Sequence, residues 1–187
     1  MNYIFSLTGT VLYDDPRTFL RTLWKNEDFA LLLYDLVFKS PEWRMLTEGS
    51  IRQDEAQDWL CRRSPDEGER IRLTLKHWTR CLTPRWEMVE LLLDMKRRGL
   101  YFYAEVPTDG KEHILKTYPF MTLFEGGVFS CDGHPAPRSL SLCRLYNLDP
   151  SACYWLDTDP TRLAEAEGCG LRGVLFANAE RLRDSLI

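Results

Sequence analysis

The sequence predicts an α/β protein: a doubly wound, Rossmann-like parallel sheet of five strands with an all-helical insertion after strand one. Three observations carry this. From Thr83 onward, short β-rich runs alternate with amphipathic helical patterns, and each change has a recognisable start or stop signal. A first strand, Tyr3–Leu7, stands apart from that series near the N-terminus. Between the two lie about seventy residues with no convincing strand.

Within that stretch Pro16–Trp24, Asp28–Lys39, Arg52–Arg62 and Pro65–Cys81 read as helices, the last two behind capping boxes at Ser50 with Gln53 and Ser64 with Glu67. Trp24, Leu32, Leu36, Trp43, Trp59 and Trp78 recur at helical spacing and are expected to form the core of this bundle. Thr83 and Pro84 then supply an N-cap and a first-turn proline, and Lys96, Arg97, Arg98 and Gly99 end the helix they open. The cations of that run complement the helix dipole, which explains them as a solvated helix end. A strand follows at Tyr101–Val106, and Asp109 with Glu112 resembles a capping box for a helix through Tyr118. The remaining order is strand Gly127–Ser130, helix Arg138–Tyr146, strand Tyr154–Asp157, helix Thr161–Glu167, strand Gly173–Phe176 and helix Ala179–Leu186. The expected division is a core of residues 1–13 and 84–187 and a helical cap of residues 14–83. In such sheets ligands bind beyond the carboxyl ends of the strands, so the informative residues follow Phe5, Val106, Ser130 and Leu156.

Composition narrows the function. The chain has 187 residues, 44% of them hydrophobic and 28% charged, enough for a real core and too balanced for a disordered chain. Twenty-eight acidic against 24 basic side chains give a net charge of −4, so no global positive field favours nucleic acid. The six cysteines include no C-x-x-C pair and the three histidines, His77, His113 and His134, lie far apart, which disfavours a zinc knuckle. Cys131 lies near the same sheet edge without the pattern of an activated thiol. The N-terminus is apolar but is interrupted by Ser6, Thr8 and Gly9 and lacks a basic lead, so a cytoplasmic protein with reduced thiols is expected. Asp35 breaks the longest apolar stretch, Phe29–Phe38, so no membrane association is expected.

One group of segments carries more. Tyr3-Ile-Phe-Ser-Leu-Thr-Gly-Thr-Val-Leu resembles four apolar residues followed by D-x-D-G-T-[LV], with Gly9, Thr10 and Val11 matching. Tyr118-Pro-Phe-Met-Thr-Leu-Phe-Glu-Gly-Gly-Val-Phe-Ser is similar to a "YPFFDLFDGIVFS" segment, and Ser40-Pro-Glu-Trp-Arg with Glu48-Gly-Ser-Ile to a "W…GEIS" segment. Tyr154-Trp-Leu-Asp-Thr-Asp-Pro, followed by Ala164–Gly170, is similar to "LFIDDSPENVEAARALGM". In this order these segments resemble the haloacid dehalogenase (HAD)-like hydrolase superfamily, in its phosphatase-like subfamilies with a helical cap.

The resemblance implies aspartyl-phosphate chemistry. One aspartate attacks phosphorus, a second two residues on acts as acid and base, a Ser or Thr and a Lys hold the phosphoryl oxygens, and carboxylates after the fourth strand hold Mg²⁺. Carried over residue by residue, the pattern is broken. Ser6 stands at the nucleophile position and Thr8 at the acid/base position. Val106, or Glu105 if the register slips by one, takes the hydroxyl position of the second motif. Glu105 is either a new acid/base of the cleft or the partner of a nearby Arg or Lys. His134-Pro135 replaces Lys-Pro in the third motif, which makes His134 a weaker phosphate-binding cation or a loop residue. Asp157 survives in the fourth, followed by Thr158 and Asp159, with both aspartates candidates for metal binding or for capping the next helix.

The expectation is therefore a HAD-like protein that has lost phosphatase chemistry and serves as a ligand-binding or regulatory module, with weak or absent Mg²⁺ binding. A small phosphorylated molecule in the cleft between core and cap is the expected ligand class. The alternative is an active hydrolase or phosphatase with atypical residues drawn from Glu105, Asp157 and Asp159. The oligomeric state is left open.

Overall fold

The computed structural model describes residues 1–106, 110–129 and 138–185. Seven strands occur in them: β1 (Asn2–Ser6), β2 (Leu12–Asp14), β3 (Leu82–Pro84), β4 (Tyr101–Val106), β5 (Gly126–Phe129), β6 (Cys153–Asp157) and β7 (Arg172–Leu175). Five of them make one sheet in the order β5-β4-β1-β6-β7 with every pair parallel. The chain thus starts in the middle of the sheet and winds outward on both sides, the doubly wound topology expected.

Strand alternation sorts side chains to two faces. Phe5, Phe102, Ala104, Val106, Phe129 and Leu156 belong to one buried cluster, with the helices Trp86–Arg97, Lys111–Thr117 and Ala179–Ser185 contributing Met88, Leu92, Ile114 and Leu182. Ile4, Tyr103, Val128, Cys153 and Trp155 belong to the other, covered by the helices Arg138–Leu145 and Pro160–Gly168 through Leu142 and Leu163. The three central strands β4, β1 and β6 are buried on both sides, which is why these runs are largely apolar rather than alternating, whereas the edge strand β7 is not.

The insertion differs from expectation at its two ends. Leu12–Asp14 and Leu82–Pro84 pair antiparallel, so the chain leaves and re-enters the core through a two-stranded ribbon. Thr83 therefore sits in β3 rather than capping a helix, and the next helix starts at Trp86. Pieces of three residues, one of them ending in proline, carry too little alternation to register as strands, and only their mutual pairing makes them so. The apolar run predicted as one helix is Glu27–Leu33 with a π turn at Tyr34–Phe38, and Ser40 opens a further helix, Pro41–Thr47, by accepting from the Trp43 amide at 3.0 Å.

Caps differ as well. Asp15 and Asn26 accept from the amides of Thr18 and Phe29, each at 3.0 Å. The box expected at Ser50 forms two residues later, where the Glu55 carboxylate accepts from the Arg52 amide at 2.9 Å. Ser64 makes no side-chain cap, because Pro65–Glu67 is a 3₁₀ turn before the helix Gly68–His77. Trp43 and Trp78 are buried in the bundle core as expected, their rings 5.2 Å apart, whereas Leu32 and Trp59 are exposed. The Asp109 box lies outside the described residues.

Candidate functional site

The ends of β4, β1 and β6 bring three polar side chains together. Ser6 follows Ile4 on its face, Glu105 follows Tyr103 and Asp157 follows Trp155, so all three continue the apolar stripe of the second cluster at the carboxyl edge of the sheet. Ser6 and Glu105 are direct partners in the β1–β4 register. Ser6 and Glu105 are fully buried and Asp157 is 2% exposed. Isolated carboxylates at such depth would be strongly unfavourable, so their charge must be answered nearby.

Two arginines answer it. Arg162, in the first turn of Pro160–Gly168, donates from Nη1 to Ser6 Oγ at 3.2 Å and from Nη2 to Glu105 Oε2, and its Nε lies 3.3 Å from Asp157 Oδ2. Arg138, the first residue of Arg138–Leu145, donates from Nη1 to Glu105 Oε1 at 3.0 Å and from Nη2 to the Glu48 carbonyl in the insertion. Both oxygens of Glu105 are thus taken by guanidinium groups. Burial opposes the charge on Arg162, but Glu105 and then Asp157 outweigh it and hold the guanidinium above its ordinary range. Asp157 also accepts from the Asp159 amide at 3.0 Å and from Trp155 Nε1 at 3.4 Å.

Beside this network the chain turns sharply after β1. Gly9 has φ +92°, and a Cβ built on it would stand 2.8 Å from Thr158 Oγ1, so only glycine fits there. The turn leaves Thr8 Oγ1 buried without a hydrogen-bond partner. A cavity of about 310 Å³ opens here between sheet and insertion, walled by Thr8, Trp43, Trp78, Arg138, Thr158 and Arg162.

The sequence-predicted residues divide accordingly. Ser6, Thr8 and Asp157 converge at this edge, and Glu105 rather than Val106 is the residue of β4 that faces it. Val106 packs in the first cluster, because a strand sends successive side chains to opposite faces. Of the two readings open for Glu105, pairing with arginine is the one observed. Asp159 lines the cavity and caps Pro160–Gly168, accepting from the Thr161 amide at 2.8 Å. His134 lies outside the described residues. Arg138 and Arg162 are absent from the sequence-based set. The available signal was position: Arg162 is the third helical residue after the Asp159-Pro160 cap, where the helix dipole disfavours a cation unless something else holds it.

Magnesium, which the resemblance implies, does not fit these residues. The ion needs several free hard oxygens in near-octahedral array. Here one expected carboxylate is the Ser6 hydroxyl, both Glu105 oxygens accept from arginine, and Arg162 lies against Asp157. Among the described residues no group of three or more His, Cys, Asp or Glu side chains is placed to hold a metal, and no helix is long and apolar enough to cross a membrane.

No protein-family model and no curated protein matches the chain. Solved structures do. A hydrolase from Streptococcus pneumoniae TIGR4 is 17% identical with a TM-score of 0.64, the alignment covering 99% of this chain and 97% of that one. A HAD-family enzyme from Bacteroides thetaiotaomicron, solved in complex with magnesium and inorganic phosphate, is 16% identical with a TM-score of 0.67 over 94% and 93% of the two chains. A HAD phosphatase from Thermococcus onnurineus is 12% identical with a TM-score of 0.67 over 99% and 97%. The matches run the length of both partners, insertion included, and this chain therefore has the fold of the HAD-family hydrolases and phosphatases.

Proposed function

We propose that the chain is a HAD-like protein that has lost aspartyl-phosphate chemistry and works as a ligand-binding or regulatory module, its cleft lying between a core of residues 1–13 and 84–187 and a helical cap of residues 14–83. The observation that carries this reading is the contact between Arg162 and Ser6. At the position where a nucleophilic carboxylate would stand there is a neutral hydroxyl, and its neighbour is a cation that takes up no proton. Thr8 supplies no acid or base because its hydroxyl does not titrate in the useful range. Glu105 is the adjacent carboxylate, and with both oxygens bonded to arginine it is not a free base.

The magnesium and phosphate of the Bacteroides structure belong to that protein. In this cleft a phosphoryl group competes with Glu105 and Asp157 for guanidinium groups already paired, so a phosphorylated metabolite binds here by displacing one of them. The cavity volume suits a small metabolite. The setting proposed is cytoplasmic, without nucleic acid or membrane as partner.

A screen of the purified protein against phosphomonoesters with magnesium tests the reading. No turnover above background is expected, and the double variant Ser6→Asp with Thr8→Asp is expected to restore none, since the phosphate-holding residues are missing too. Wild-type turnover that Asp157→Ala abolishes would overturn it.

A further inference from the structure

The most densely paired charged side chain of the cleft is Arg162. Each of its three nitrogens faces a different strand end: Nη1 the Ser6 hydroxyl of β1, Nη2 the Glu105 carboxylate of β4, and Nε the Asp157 carboxylate of β6. Two carboxylates and a hydroxyl, all at most 2% exposed, thus converge on a single cation. By chemistry these are hard oxygen donors of the kind that bind magnesium, manganese or calcium when nothing else occupies the space between them. Here a covalently attached cation does.

We infer that Arg162 is the resident cation of this cleft, and that its guanidinium fills a latent divalent-cation site whose ligands are Glu105 and Asp157. The helix cap supports this. Asp159 accepts from the Thr161 amide and Asp157 from the Asp159 amide, which fixes the first turn of Pro160–Gly168 and aims residue 162 back across the sheet edge. The arrangement makes the fold independent of metal supply: the charge of two buried carboxylates is answered by groups of the same chain. This inference concerns the cation and not the chemistry of Ser6, and it stands or falls separately from the loss of hydrolysis.

Thermal unfolding of wild type, Arg162→Ala and the triple variant Arg162→Ala/Glu105→Gln/Asp157→Asn, each in excess EDTA and in millimolar MgCl₂ or MnCl₂, tests it. Wild type is expected to melt at the same temperature in both. Arg162→Ala is expected to be destabilised in EDTA, or unfolded there, and to recover in the metal with an upward Tm shift on the order of 5 °C. The triple variant, with neutral groups of the same shape, is expected to fold and to lose that response. The inference is overturned if Arg162→Ala behaves alike with and without metal, whether folded or not, or if the triple variant responds as strongly as the single one. It is overturned equally if wild type gains a metal-dependent shift that Asp157→Asn removes. Metal-independent hydrolysis by wild type would instead sink the functional proposal and leave this one intact.

Discussion

Glu105 shows how one residue sets the character of the cleft. Fully buried between Arg138 and Arg162, it gains its place only because both guanidinium groups are within reach, and they in turn lean on it. Glu105→Ala leaves two cations facing each other without their shared anion, and truncating one member of a buried ion pair costs about 3–5 kcal/mol. Urea unfolding should show that loss, and Glu105→Gln, which keeps the shape and one acceptor, should lose less. An equal loss in both variants would mean that packing, not charge, is what the site needs. Gly9→Ala tests the turn beside it: positive φ and the approach of Thr158 predict a loss of about 1–2 kcal/mol or more without any change of charge. Cys143 illustrates the opposite case. Burial pushes its thiol up to about 12, so it should resist alkylation at neutral pH until the protein is unfolded.

At the scale of elements, caps decide where helices begin and how they present side chains. Asp159→Ala removes the acceptor for the Thr161 amide, at a cost of about 1 kcal/mol, and should also loosen Arg162. Asp15 caps Pro16–Trp24, and hydrogen bonds from Thr18 hold its carboxyl below the ordinary 3.8. A depressed folded-state value stabilises the fold above the unfolded value, and that contribution fades as pH falls through the folded one. Stability measured below about pH 4 should therefore fall less steeply in Asp15→Asn than in wild type, although the group is exposed and the effect small. Strand β5 depends on its glycines in a different way. A Cβ on Gly127 would stand 2.5 Å from the Ala104 carbonyl of β4, so Gly127→Ala must push the two strands apart.

For the molecule as a whole, the sheet carries two buried clusters, and the polar network sits at the edge where the second of them ends. The insertion meets that edge at the Glu48 carbonyl, which accepts from Arg138, and through the cavity wall formed by Trp43 and Trp78. The net charge is −4, and the two arginines of the cleft are paired internally with Glu105 rather than turned to a polyanion. The protein should pass through a heparin column at physiological salt, and retention would count against the expected absence of nucleic-acid partners.

The sequence by itself determined the five strands of the main sheet, the helices between them and the largely helical insertion after β1, because apolar periodicity and caps are local properties of the chain. The tertiary structure alone decided that Glu105 and not Val106 enters the cleft, that Leu12–Asp14 and Leu82–Pro84 form a ribbon, and that Arg162 answers two buried carboxylates. Glu105 and Arg162 stand 57 positions apart in the chain, a separation that leaves no local trace of their pairing. A buried charge takes whichever partner the packing brings near, and that is known only once the strands are side by side.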